Sequence, residues 1–322
     1  MNRSTTPIIK HIPNYLDYCE VEKGLSPLST RNYDNFLRVF KVWMKSKGLD
    51  GLKPHELTPE HIWDYRLYLS RKKGERDGQY LKKTTQNYYL IALRNLLKYF
   101  SEKDIVSLSS DKIKLPKLTD KDKAIKFLKF DQIEKLLSMP DGNTPDGKRD
   151  RAILEILFST GMRVSELTSL NMRQFNIKNL REGKFSDQEL SISGKGGSTR
   201  VIYFSERALR CLSNYLKTRR DMYTPLFVNY RPDKEDDEHR LTPRSIERLV
   251  RKYTMMAGLP VEATPHTLRH SFATDLLSHG ADMRSVQELL GHKNIVTTQI
   301  YTHVTNPHLK DIHKRFHSGE KE

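Results

Sequence analysis

Apolar residues recur at helical spacing along almost the whole chain, and this periodicity restricts the fold more than any other feature. They hold one helix face in residues 9–18, 33–44, 61–69 and 88–100. Only two short runs, 188–193 (QELSIS) and 199–204 (TRVIYF), have the character of strands. Gly194-Lys195-Gly196-Gly197-Ser198 separates them, which predicts a hairpin with Lys195 near its tip. The expected fold class is mainly α with a small β-sheet.

A length of 322 residues allows two domains. Residues 1–110 predict a small helical bundle. Thr58-Pro59-Glu60 is a helix start, with a cap hydroxyl, proline in the first turn and an acid at the positive helix end. Gly48 and Gly74 are candidate stops. Lys82 to Tyr89 interleaves basic and aromatic residues, and its tyrosines are expected in the bundle core more than on a phosphate backbone. Residues 111–126 are Lys-rich, contain Pro116 and lack periodicity, so they read as an extended basic linker. Residues 127–322 form the second domain. Asp131 to Glu134 resembles a capping box, and 148–160 is a strongly apolar helix ending near Gly161. Residues 175–188 look like a local insertion. Further helices are expected at 205–221, 242–258, 264–280 and 282–291, and 233–238 is an acidic cluster suited to a solvated loop.

Charge narrows the partners. Lys and Arg number 56 against 40 Asp and Glu, a net +16. The excess is shared evenly: residues 1–120 hold 22 against 14, and 121–322 hold 34 against 26. Both halves therefore attract polyanions, and release of phosphate counterions would drive binding. No apolar run approaches the ~18 residues of a membrane helix. The first residues lack a signal pattern. Cys19 and Cys211 stand alone, which excludes a disulfide scaffold and a Cys-rich zinc site. No His-Glu-x-x-His spacing suggests a metal, and no cofactor is expected. These features predict a soluble, cytoplasmic protein.

Chemistry-bearing residues gather in the second half. Thr264-Pro265 starts a helix, so His266 and Arg269 share a face of its first turns, an anion-binding arrangement. Arg163 follows the Gly161 break, with Glu166 three residues on and able to hold it. Gly291 ends an apolar helix and fixes the direction in which His292 emerges. Tyr301 lies nine residues later.

In that order, TGMRVSEL, the GKGG hairpin, HTLRHSFAT, LLGH and the following tyrosine resemble the tyrosine recombinases, the phage-integrase and Xer family. The resemblance covers nearly the whole chain. It implies an N-terminal helical core-binding domain of SAM-like type (1–110), the linker (111–126) and an α+β catalytic domain (127–322). It also implies a simple Xer-like member without an added arm-site domain.

By the resemblance, Tyr301 is the nucleophile on a scissile DNA phosphodiester, giving a 3′-phosphotyrosyl bond and a free 5′-hydroxyl. Arg163 and Arg269 match the two phosphate-binding arginines, and His292 a third donor. His266 matches the residue that accepts the tyrosine proton or braces the site, and Lys195 the residue that protonates the leaving 5′-oxygen. His270 is expected to be structural. The partner is a double-stranded DNA recombination site, acted on by a homo- or hetero-tetramer in which the helix at 307–316 docks on a neighbouring subunit. The implied function is Xer-like chromosome or plasmid dimer resolution by a nucleoid-associated enzyme. A mobile-element integrase or a type IB topoisomerase-like enzyme is the alternative.

Overall fold

The computed structural model describes residues 2–74, 78–119, 127–185, 189–193, 199–230, 239–292 and 294. The chain divides into two compact units, Met1–Ala124 and Ile125–Glu322.

In the first unit, α1 (Ile8–Val21), α2 (Pro27–Ser46), α3 (Pro59–Arg71) and α4 (Lys83–Glu102) are the four expected helices. Their starts follow from local chemistry. Ser26 and Thr58 accept from the backbone N–H three residues on, and proline follows each of them. Gly48 adopts a left-handed φ of 67° just past α2. Gly74 does not cap α3; it donates to Gln79 across a turn bridged by Lys73 and Tyr80. The core collects Tyr15, Phe40, Trp43, Tyr65 and Phe100 with the α4 stripe Leu90, Leu93, Leu96 and Leu97. Tyr88 lies off that stripe. Contrary to the expectation of a core position, it is 57 % exposed and stacks on Phe36.

The stretch read as a linker does not begin as a solvated connector. Ile113 is fully buried in this core, its carbonyl accepts from Arg94 at 2.7 Å, and the Pro116 carbonyl accepts from Asn87. Leu115 packs against the same core, and two apolar residues at i and i+2 carry no helical period. Residues 120–126 lie outside the described residues.

The second unit contains α5 (Phe130–Ser138), α6 (Pro145–Thr160), α7 (Val164–Thr168), α8 (Ile177–Arg181), β1 (Glu189–Ser193), β2 (Thr199–Tyr203), α9 (Glu206–Leu216), α10 (Pro243–Met256), α11 (Pro265–Ser278) and α12 (Met283–Leu290). Helix α6 is its axis. Ala152, Ile153, Leu154, Ile156 and Leu157 are all buried, so the helix is apolar on several faces and packs against both α9 and α11. Helix α5 starts one residue before the expected cap: Lys129 precedes it and donates its N–H to Gln132 Oε1. The stretch read as an insertion holds α8, whose Leu180 is buried in the same core. β1 and β2 pair antiparallel from Glu189 opposite Tyr203 to Ser193 opposite Thr199, with Ile192 and Ile202 buried. The hairpin is as expected; its connection, and the acidic cluster at 233–238, lie outside the described residues.

Candidate active site

Two helix ends form the frame. Helix α6 stops at Gly161 (φ 57°, ψ 21°), and α12 stops at Gly291 (φ 65°, ψ 46°). Both are left-handed glycine caps, which turn the chain sharply and leave helix-end carbonyls needing donors. Met162 and Arg163 follow the first cap, and His292 the second. His292 is fixed twice at its backbone. Its N–H donates to the Gln287 carbonyl at 3.1 Å, and its own carbonyl accepts from Gln287 Nε2 at 2.9 Å.

Arg163 caps α7 and is gripped by Glu166. Glu166 Oε2 accepts from the Arg163 backbone N–H at 2.7 Å, and Oε1 accepts from Arg163 Nη1 at 2.9 Å. Glu166 is therefore the brace that the spacing suggested. Its side chain is 6 % exposed, whereas that of Arg163 keeps 34 %.

Arg269 ties the two ends together. Thr264 and Thr267 exchange hydrogen bonds at the start of α11, each hydroxyl accepting from the other residue's N–H at 3.1 Å. Just over one turn of helix brings Arg269 under both glycine caps. Its Nη1 donates to the Gly161 carbonyl and its Nη2 to the Leu290 carbonyl, each at 2.6 Å. A cation at two helix C-termini is stabilised by both dipoles and satisfies their unpaired carbonyls. Arg269 is buried. It thus sets the spacing between the segments that carry Arg163 and His292.

The imidazoles sit in this positive field. Burial, then Arg269 and Arg163, lower the pKa of His266. Burial, then Arg269, Arg163, Arg200 and His266, bring His292 down to about 4. His270 also falls to about 4, through burial and then His266, Arg269 and His292. All three rings are neutral near pH 7. The rings of His266 and His270 meet edge to face with centroids 4.3 Å apart. Neutral imidazoles among guanidinium groups can each offer an N–H or accept a proton, and the field as a whole suits an anion.

Four of the six candidate residues, Arg163, His266, Arg269 and His292, thus share one electrostatic neighbourhood. Lys195, Tyr301 and the 307–316 segment lie outside the described residues. Sequence reasoning missed Arg200 on β2. It forms a two-pronged salt bridge with Glu166 and donates from Nε to the Leu289 carbonyl. A signal was available: Arg200 is two residues from Ile202, which puts it on the buried face of the strand. Among the described residues no group of His, Cys, Asp or Glu could hold a metal ion, and no helix is long and apolar enough to cross a membrane.

Known proteins share this arrangement of elements. The model of the phage integrase family matches residues 126–308. The chain belongs to the phage integrase family. The SAM-like N-terminal domain of phage integrases matches residues 12–103. Tyrosine recombinase XerD of Listeria monocytogenes serotype 4b (strain F2365) is 37% identical over 315 residues, spanning 95% of this chain and 98% of that protein. Tyrosine recombinase XerC of Pelotomaculum thermopropionicum is 34% identical over 322 residues, spanning 97% and 99%. This integrase-family member is a site-specific tyrosine recombinase, a DNA strand-transferring enzyme. Two solved structures share the fold. The XerH recombinase bound to its difH substrate superposes with a TM-score of 0.66 at 23% identity, over 93% of this chain and 83% of that one. The Tn1549 transposon integrase bound to transposon right end DNA gives 0.69 at 16% identity, over 95% and 99%.

Proposed function

We propose that this recombinase cuts and rejoins duplex DNA at a specific site through Tyr301, and that it acts in Xer-like resolution of chromosome or plasmid dimers. The observation that carries the reading is the Arg269 bridge, which ties the helix end that leads to Arg163 to the helix end that leads to His292. In the reaction, the Tyr301 oxygen attacks the scissile phosphorus. The P–O5′ bond breaks as the P–O(Tyr) bond forms. His266 takes the phenolic proton, and Lys195 gives a proton to the departing 5′-oxygen. Attack by a 5′-hydroxyl on the phosphotyrosyl bond reverses each transfer and rejoins a strand. One phosphodiester is exchanged for another, so the cycle needs no ATP.

A phenol with a pKa of about 10 is a poor nucleophile at neutral pH, and it needs a base and a stabilised transition state. Arg163, Arg269 and His292 supply donors where charge grows on the non-bridging oxygens. The relatives at 37% and 34% identity carry Xer names, and on that ground we read the biological role as dimer resolution. The DNA partner is a double-stranded recombination site. The working form is a homo- or hetero-tetramer in which the 307–316 segment docks on the next subunit. Such an enzyme works on the nucleoid, in the cytoplasm.

The test uses a nicked suicide duplex bearing a site selected from random-sequence DNA. Wild-type protein should form a covalent adduct on it. Tyr301→Phe should form none while retaining DNA binding. An adduct with Tyr301→Phe removes Tyr301 from the role of nucleophile.

A further inference from the structure

We propose that Arg200 is a positioning residue of strand transfer, which keeps Arg163 available to the scissile phosphate by neutralising Glu166. The inference rests on the Tyr301 reading above. Glu166 accepts four hydrogen bonds. Two come from Arg163, through its backbone N–H and Nη1. Two come from Arg200, with Nη1 at 2.9 Å from Oε1 and Nη2 at 2.7 Å from Oε2. A carboxylate has about four lone-pair positions, so this one is saturated. Burial opposes its charge, but the Arg200 and Arg163 hydrogen bonds outweigh burial and hold Glu166 below its ordinary pKa.

The charge sum decides what this arrangement does. Arg163 with Glu166 alone is a neutral pair, a weak host for an anionic phosphate. Arg200 adds the second guanidinium, so the trio carries one net positive charge. The side chain of Arg200 is only 8 % exposed, whereas that of Arg163 keeps 34 %. The buried arginine therefore balances the acid, and the more open one is left to meet a ligand. Arg and not Lys suits the inner position, because a planar fork can take both carboxylate oxygens at once.

Arg200 also reaches the other side of the site. Its Nε donates to the Leu289 carbonyl at 3.0 Å, two residues before Gly291. A Cβ on Gly291 would lie 2.7 Å from Arg200 Cδ, so the cap before His292 rests directly on this side chain. One residue of β2 thus touches the brace of Arg163 and the turn that aims His292. Five residues before it in sequence is Lys195.

The experiment measures single-turnover adduct formation on the suicide duplex at saturating protein, together with the Kd for the uncut site and the melting temperature. At saturation and well below the melting point, a loss of stability alone leaves the rate unchanged. Arg200→Ala should slow adduct formation by about tenfold or more, the scale of one lost charge-assisted contact, with Kd little changed. Arg200→Lys should fold and fall between the two. In Arg200→Ala/Glu166→Gln, removal of the uncompensated negative charge should restore part of the rate. A wild-type rate in Arg200→Ala overturns the inference. So does a double variant no faster than Arg200→Ala. Should Arg200→Ala fail to fold, Arg200→Lys decides: slowed cleavage with unchanged Kd supports the role, and a wild-type rate rejects it. Absence of an adduct with wild-type protein would instead refute the Tyr301 reading itself.

Discussion

Gly161→Ala perturbs the frame of the site at one atom, and its cost can be worked out from the surroundings. The residue has a left-handed backbone, which an L-residue with a Cβ adopts at a cost of about 1–2 kcal/mol. An added Cβ would also lie 2.3 Å from Phe272 Cδ1 and 2.8 Å from Cε1. Relieving that overlap on α11 costs about 1–3 kcal/mol more. The total, about 2–5 kcal/mol, should lower the melting temperature by roughly 2–4 °C per kcal/mol for a unit of this size. Gly258→Ala is the internal control. Gly258 has a φ of 59° but nothing within 4 Å of the new atom, so only the backbone cost applies. The difference between the two melting temperatures therefore reports the Phe272 contact. Because the Gly161 carbonyl anchors Arg269, the variant should also slow adduct formation at temperatures where it remains folded. A Gly161→Ala protein that melts no lower than Gly258→Ala would refute the argument that Phe272 closes this site.

Three further outcomes are expected. Arg163→Ala should slow single-turnover adduct formation by about 10²–10³-fold, the range for one lost oxyanion donor, and a rate equal to wild type would exclude Arg163 from the phosphate site. His292 titrates near 4 when folded against 6.5 in an open chain, so the unfolded state holds more protons between those values and stability rises with pH across them. The melting temperature should accordingly fall on acidification from pH 6.5 towards 4, more steeply in wild type than in His292→Asn; equal slopes contradict the assignment of that titration to His292. Truncation before Pro307 should weaken cooperative assembly on DNA more than binding to a single half-site, as read by gel shift. Equal losses would argue for a helix that only packs on its own subunit.

Much of the site was legible because its signals are local. A glycine that must be left-handed, a threonine followed by proline, and an acid three residues past an arginine each act within one or two helical turns. Gly161, Gly291, Thr264 and Glu166 were readable for that reason. The position of Tyr88 was not. Whether an aromatic residue packs inside or stacks outside depends on which face of α4 meets the other helices, and the helical period alone leaves neighbouring faces in competition. Ile113 escaped for the opposite reason, since it and the half-buried Leu115 are too few to make a helical period.

The amino-acid sequence by itself determined a mainly helical chain with one hairpin, the order of its chemical groups and the family to which they belong. Those properties depend on backbone preferences and side-chain types within a few residues of one another. Only the tertiary structure decided that Arg269 joins Gly161 to Leu290 and that Arg200 completes the shell of Glu166. Buried guanidinium groups take whichever carbonyls and carboxylates the packed helices bring within reach. That choice is made across 108, 21 and 34 residues of chain, a separation at which no local pattern specifies a partner.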